Sequence, residues 1–187
     1  MATPAPVTAS LVTSGISSEV RETLSGIAYG TYVTLNLFTD GRPWKQAWSA
    51  SCVGEFFVTL YDSIRTQVSL DYSEKGILGM YIAPATADDT SLFQLSDEQI
   101  LESALEGLEK YEPGIREKVL GHDIHRFRYA FPVFAPNYYS TLATLYTDAS
   151  ARGPLFLAGD YMVYATFDGA VLSALRAYEQ VSDWLTS

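Results

Sequence analysis

Two short stretches near the end of this 187-residue chain combine residue types suited to holding a large, partly anionic ligand. The first is Leu155-Phe156-Leu157-Ala158-Gly159-Asp160, an apolar run closed by a glycine and a carboxylate. The second is Asp168-Gly169-Ala170-Val171, where a helix is expected to open with small residues in its first turn. A carboxylate at a strand end accepts hydrogen bonds from ligand hydroxyls. Amides at a helix start lack intrahelical acceptors and, together with the helix dipole, favour negative charge. A glycine beside the carboxylate lets backbone approach a ligand closely. Taken alone, without the helix start downstream, Gly159-Asp160 reads as a plain strand end and turn.

Other chemistry-bearing residues lead less far. His122 and His125 are three apart on an expected strand and so face opposite sides, which argues against a metal pair. Cys52 is the only cysteine, so no intrachain disulfide or thiolate cluster forms; it reads as a small apolar residue in a reducing, cytoplasmic setting. Asp88-Asp89 reads as a solvated loop, and Glu98, Glu102, Glu106 and Glu109 as an exposed helix face. No catalytic residue and no metal site are assigned.

The elements that must position the two stretches follow from periodicity. Residues 1–15 are rich in Ala, Thr, Ser and Pro and read as a flexible tail behind a natural start at Met1. Ser17-Ser18 offers a cap for a short helix through Leu24. Thr31–Phe38 alternates as a strand and turns at Asp40-Gly41. Phe56–Tyr61 reads as a strand after a loop holding Trp44 and Trp48, and Val68–Tyr72 with Ile77–Ala83 as a hairpin. Ser96-Asp97-Glu98-Gln99 is a capping box; Ile100, Leu101, Ala104, Leu105 and Leu108 then line one helix face, ended by Pro113-Gly114. A short helix over Ile115–Leu120, a strand over Asp123–Phe131 and a helix over Tyr138–Tyr146 precede the apolar run, itself expected as a buried strand. Asp168 is expected to cap the final helix, which runs to Leu185 with Val171, Ala174, Leu175, Tyr178 and Val181 as its core stripe. The expected fold is α+β: a flexible tail (1–15), an antiparallel or mixed sheet with packed helices (16–132), and a C-terminal β-α unit (133–187) that lacks strand neighbours of its own.

Leu155–Asp160 followed by Asp168-Gly169-Ala170-Val171-Leu172-Ser173 resembles the C-terminal cofactor signature of the flavin amine oxidase, protoporphyrinogen oxidase and phytoene desaturase family. Arg126-Phe127-Arg128-Tyr129-Ala130-Phe131-Pro132 is similar to that family's R-W-x-x-A-x-P strand. The alternating strand, the amphipathic helix and Pro43-Trp44 are similar to its substrate-domain sheet. The resemblance implies FAD, with Gly159, Asp160, Tyr161, Phe167, Asp168, Gly169, Ala170 and Val171 as cofactor-binding residues. Asp160 would meet the ribityl–phosphate part and the 168–171 helix start the pyrimidine edge. It further implies a substrate pocket drawing on Phe127, Tyr129, Phe131, Tyr164 and Thr166. The sequence departs from the family pattern at Phe127 (usually Trp), at Ala174 (usually Gly) and at Thr166, where some amine oxidases place an aromatic residue. The largest departure is that no G-x-G-x-x-G follows a strand, so the ADP-binding unit is missing.

The bulk numbers bound the partners. Twelve basic against 22 acidic side chains, a net charge of −10, exclude a phosphate-binding nucleic-acid surface. No apolar run approaches the length of a membrane-spanning helix. Thirteen Tyr, 9 Phe and 3 Trp exceed what polar surfaces use and belong mostly to packing. The expected function is the C-terminal-half subunit of a split FAD-dependent oxidoreductase, acting on a small amine or apolar substrate, with the G-x-G-x-x-G half on a second chain. The alternative is a non-catalytic module of the same fold holding an apolar ligand or a partner protein.

Overall fold

The computed structural model describes residues 1–44, 49–66, 74–86, 89–151 and 155–186. Trp48, Val68–Tyr72 and Asp88 lie outside these. In chain order the helices are α1 (Ala5–Leu11), α2 (Ser18–Gly26), α3 (Asp97–Leu108), α4 (Tyr138–Ala151) and α5 (Phe167–Thr186). The strands are β1 (Tyr29–Asp40), β2 (Ser49–Ser51), β3 (Thr59–Asp62), β4 (Lys75–Ile82) and β5 (Val119–Pro132). The chain divides into one unit of residues 1–30 with 129–187 and a second of residues 31–128.

The second unit is organised by the sheet, whose order is β2-β3-β4-β1-β5. The β1–β4, β2–β3 and β3–β4 ladders are antiparallel. Alternation along β1 buries Val33, Leu35 and Leu37, as the sequence predicts. These meet Leu78, Met80 and Ile82 of β4 and Ile100, Ala104, Leu105 and Leu108 of α3 in one core. Each fully buried Leu or Ile there is worth about 1.5–3 kcal/mol. The capping box starts α3 as expected: Gln99 N donates to Ser96 Oγ (3.2 Å) and Ser96 N to Gln99 Oε1 (2.8 Å). On the opposite sheet face Tyr32 sits between Tyr81 and Phe127, with ring centroids 4.8 and 4.7 Å away. The strand expected from Phe56 begins only at Thr59, and Phe57 just before it is fully buried. β4 forms where Ile77–Ala83 is expected; the other arm of the expected hairpin falls outside the described residues.

The first unit packs α1, α2 and α4 around Val20, Leu24, Tyr138, Leu142, Leu145, Leu157 and Tyr161. Three expectations are corrected here. The N-terminal stretch is not a loose tail: α1 buries Ala5 and Ala9 completely or nearly so, its small residues allowing close helix contact. Leu155–Ala158 is extended but joins no described strand. Its backbone partner is Met1, whose ammonium donates to Phe156 O (2.6 Å) while Ala158 N donates to Met1 O (2.9 Å). A strand needs a neighbour with free ladder groups, and a single residue supplies only one rung. The stripe expected to anchor α5 is open: Val171, Leu175 and Tyr178 are 43%, 55% and 71% exposed.

Candidate cofactor site

Leu155–Ala158 delivers the chain to Gly159, where φ is 154° and a Cβ would stand 2.4 Å from the Tyr161 ring. Only glycine makes that turn without displacing the ring. Residues 160–162 then form one 3₁₀ turn held by α4. Tyr138 Oη donates to Tyr161 O (2.9 Å) and Tyr146 Oη to Met162 O (2.5 Å). Tyr161 itself is fully buried and anchors the turn in the core, so it supports the loop from beneath.

The start of α5 is equally constrained. Thr166, not Asp168, is its cap: Gly169 N donates to Thr166 Oγ1 (3.1 Å) and Ala170 N to Thr166 O (3.1 Å). A Cβ on Gly169 would lie 2.0 Å from the Tyr164 carbonyl oxygen, so glycine permits the loop to cross the helix tip. Ser173, buried in the next turn, joins the two pieces. Gly159 N donates to Ser173 Oγ (2.8 Å), which donates to Ala170 O (2.8 Å). The amides of Phe167 and Asp168 have no acceptor among the described residues. Phe167 and Val171 beside them are exposed.

Asp160 is the charged group of the turn. Burial pushes its carboxyl above the usual carboxylate value, opposed by the Tyr161 amide, which donates to Oδ1 (2.9 Å). Burial pushes the Tyr29 phenol up to about 12, with Asp160 adding to the shift. Tyr138 and Tyr161 are raised further, again first by burial and then by Tyr29 and Asp160 among the nearby charges. The turn thus presents one carboxylate among phenols that stay neutral.

Of the residues expected to bind cofactor, the structure brings Gly159, Asp160, Gly169 and Ala170 together through Ser173, with Phe167, Asp168 and Val171 at the open tip. The expected pocket residues are dispersed. Tyr129 packs edge-on against Tyr29 (5.7 Å) in the first unit, whereas Phe127 stacks on Tyr32 in the second. Phe131 and Tyr164 are each more than two-fifths exposed, and the hydroxyl of Thr166 is taken by the helix cap. Sequence reasoning missed Tyr138, Tyr146 and Ser173. The tyrosines' spacing of eight within a predicted helix, which puts both on one face, is the signal that could have found them.

The profile of flavin containing amine oxidoreductases matches residues 1–182. The chain belongs to this family. Its fold is shared with a putrescine oxidase structure (TM-score 0.74, 16% identity, 98% of this chain and 42% of that one). It is shared also with cyclohexylamine oxidase from Brevibacterium oxydans IH-35A (TM-score 0.71, 13% identity, 100% and 43%). A third structure, named as a protoporphyrinogen oxidase from Exiguobacterium sp. 255-15, aligns with TM-score 0.70 and 17% identity over 100% of this chain and 40% of that one. The chain therefore spans about two-fifths of the length of these structures. A comparison with curated protein sequences gives no match. Membership implies a flavin cofactor. The open amides at the tip of α5 suit a ligand edge that gains negative charge, and the Asp160 carboxylate suits hydroxyl donors. Among the described residues no helix is long and apolar enough to cross a membrane, and no cluster of metal-ligating side chains occurs.

Proposed function

We propose that this chain is the C-terminal-half part of an FAD-dependent oxidoreductase that oxidises an amine or desaturates a C–C or C–N bond. The G-x-G-x-x-G half resides on a second polypeptide in the same, cytoplasmic compartment. The observation that carries the reading is the turn itself: two glycines whose Cβ positions are forbidden, locked by one buried serine, with helix-tip amides left open beside a half-buried carboxylate. The open apolar stripe of α5 supports a partner chain, since a 20-residue amphipathic helix ordinarily buries that face.

In this reading the Phe167 and Asp168 amides hold the pyrimidine edge and Asp160 accepts from the ribityl hydroxyls, with Gly159 allowing close approach. Bound there, FAD supplies the chemistry by accepting hydride at N5 from the substrate's C–H bond. The chain's own task is positioning: the Ser173 bond keeps the carboxylate turn and the helix tip in one register.

The test is co-expression with a neighbouring gene product that carries G-x-G-x-x-G. A yellow 1:1 complex is expected, bleaching on anaerobic addition of an amine or a desaturable substrate. Purification of a colourless, monodisperse chain that recruits neither polypeptide nor flavin refutes it.

A further inference from the structure

We propose that a cleft in the second unit, on the α3 side of the sheet, binds a small organic cation, an ammonium-type head on an apolar body. The inference is independent of the cofactor reading, because the cleft is built entirely from residues 44–112. Strand register puts Ala50, Leu60, Asp62 and Leu78 on one sheet face: Ala50 pairs with Leu60, and Asp62 with Leu78. Together with Leu108, the last residue of α3, they line a cavity of about 320 Å³. That volume is at the lower end of roughly 300–1,000 Å³ for small-molecule sites.

Glu112 decides the charge of the ligand. Its amide donates to Leu108 O (2.9 Å), which sets the residue at the cleft wall one turn beyond α3. The residue is half-buried, yet its carboxylate enters no ion pair among the described residues. The acids around it are engaged. Glu109 accepts from the Gly114 and Arg116 amides (3.0 and 3.2 Å), and Glu55 from Lys110 Nζ (2.8 Å). Asp62, buried in the cleft wall, is paired with Arg42. No Lys or Arg lines the cleft. An uncompensated carboxylate beside apolar side chains attracts a cation and repels an anion. The other walls set the body of the ligand. Leu60, Leu78 and Leu108 supply aliphatic surface that only an apolar group covers with profit. Tyr111, adjacent to Glu112 and 49% exposed, adds an aromatic ring, which attracts the same cation. Its hydroxyl donates to Glu55 Oε1 (3.4 Å), so a second carboxylate holds the ring at the rim.

The probe is hexylammonium, set against hexanol and hexanoate, which keep the hydrocarbon body and change only the head. Isothermal titration calorimetry with the full chain is expected to show one saturable site for hexylammonium, with hexanol and hexanoate at least about tenfold weaker. Glu112→Gln keeps the size of the side chain but deletes its charge, and should weaken hexylammonium by about tenfold and erase its advantage over hexanol. Glu117→Gln makes the same change in net charge at an exposed position outside the cleft and should leave the affinity unchanged. Ala50→Trp, at an exposed position of the lining, should block binding while leaving the circular dichroism spectrum unchanged. Absence of saturable hexylammonium binding to the wild-type chain overturns the site, as does unchanged affinity in Ala50→Trp. Equal affinity for the three heads, unchanged affinity in a folded Glu112→Gln, or an equal loss in Glu117→Gln overturns the assignment of a cation to Glu112. If Glu112→Gln does not fold, the three heads and Ala50→Trp decide.

Discussion

Ser173→Ala tests the claim that one hydroxyl locks the carboxylate turn to the helix tip. The Ser173 Oγ accepts from Gly159 N and donates to Ala170 O, both at 2.8 Å, in a residue that is 2% exposed. Alanine removes the acceptor and leaves a partly buried amide without a partner, a loss of about 1–2 kcal/mol. Against this, alanine suits a helix interior better than serine by about 0.5 kcal/mol. The net expectation is a destabilisation of about 1 kcal/mol, or roughly 2–4 °C in Tm for a domain of this size. Ser182→Ala is the internal control. Ser182 lies on the same helix and donates to Tyr178 O (2.9 Å), but its Oγ accepts from no amide among the described residues. There the propensity gain stands alone, and stability should rise slightly or stay within about 0.5 kcal/mol. Urea titration of both variants, with equal slopes, reads the difference. If the two substitutions shift the midpoint by the same amount, the Gly159 bond contributes nothing and the lock does not exist.

Gly169→Ala should destabilise by about 1–3 kcal/mol, because its Cβ would meet the Tyr164 backbone oxygen, which no rotamer change can move; the urea midpoint checks it. Asp160→Asn should raise stability at pH 7. The folded carboxyl is held above its ordinary 3.8 by burial, so the wild-type chain binds the proton more tightly folded than unfolded and loses stability as pH rises through that window. The advantage of the variant should vanish on acidification below 3.8, which urea midpoints at several pH values would detect. The phenols give the alkaline counterpart. With Tyr29 raised to about 12 and Tyr138 and Tyr161 raised further, stability should fall as pH climbs from about 10 through 12. Tyrosinate absorbance should appear in two phases, exposed phenols first and these three only with unfolding; a single phase near 10 contradicts their burial.

Most of the second unit was legible in the sequence because its signals are local. Alternation in β1, the Ser96–Gln99 box and the stripe of α3 each need only a few consecutive residues. Signals that depend on distant chain were lost. Nothing in Ala5–Leu11 says that Ala5 will join the same buried core as Tyr161 and Leu142, since alanine and threonine also compose solvated tails. Leu155–Ala158 has a strand's composition, but a strand is defined by its neighbour, and here the neighbour is Met1. At the site, glycine placement was readable and its reason was not. Gly159 and Gly169 stand out by type, whereas the tyrosine ring and the carbonyl that exclude a Cβ appear only in three dimensions. The cap of α5 moved from Asp168 to Thr166 for the same reason: both residue types cap helices, and the crossing loop at Tyr164 decides between them.

The open face of α5 argues in the opposite direction, from structure back to sequence. Val171, Leu175 and Tyr178 recur at intervals of four and three, the spacing of a face selected for burial. The helix is fixed at its tip through Gly159, Ser173 and Thr166, yet this face is left bare. Scattered exposed apolar residues are normal on any protein, but a periodic stripe on one helix is not scattered. The helix tip with open amides and the stripe with open side chains lie on the same element, in consecutive turns. In the function proposed above, both would be accounted for by one occupant, a flavin-bearing polypeptide that sets its cofactor against the tip and its own apolar surface along the stripe. That occupant makes a specific demand: Leu175→Asp should weaken capture of the G-x-G-x-x-G chain, and with it flavin, without lowering the urea midpoint of the isolated chain. A variant that unfolds the isolated chain instead would mean that the stripe already has an intrachain partner, and the argument for a second polypeptide would lose its support.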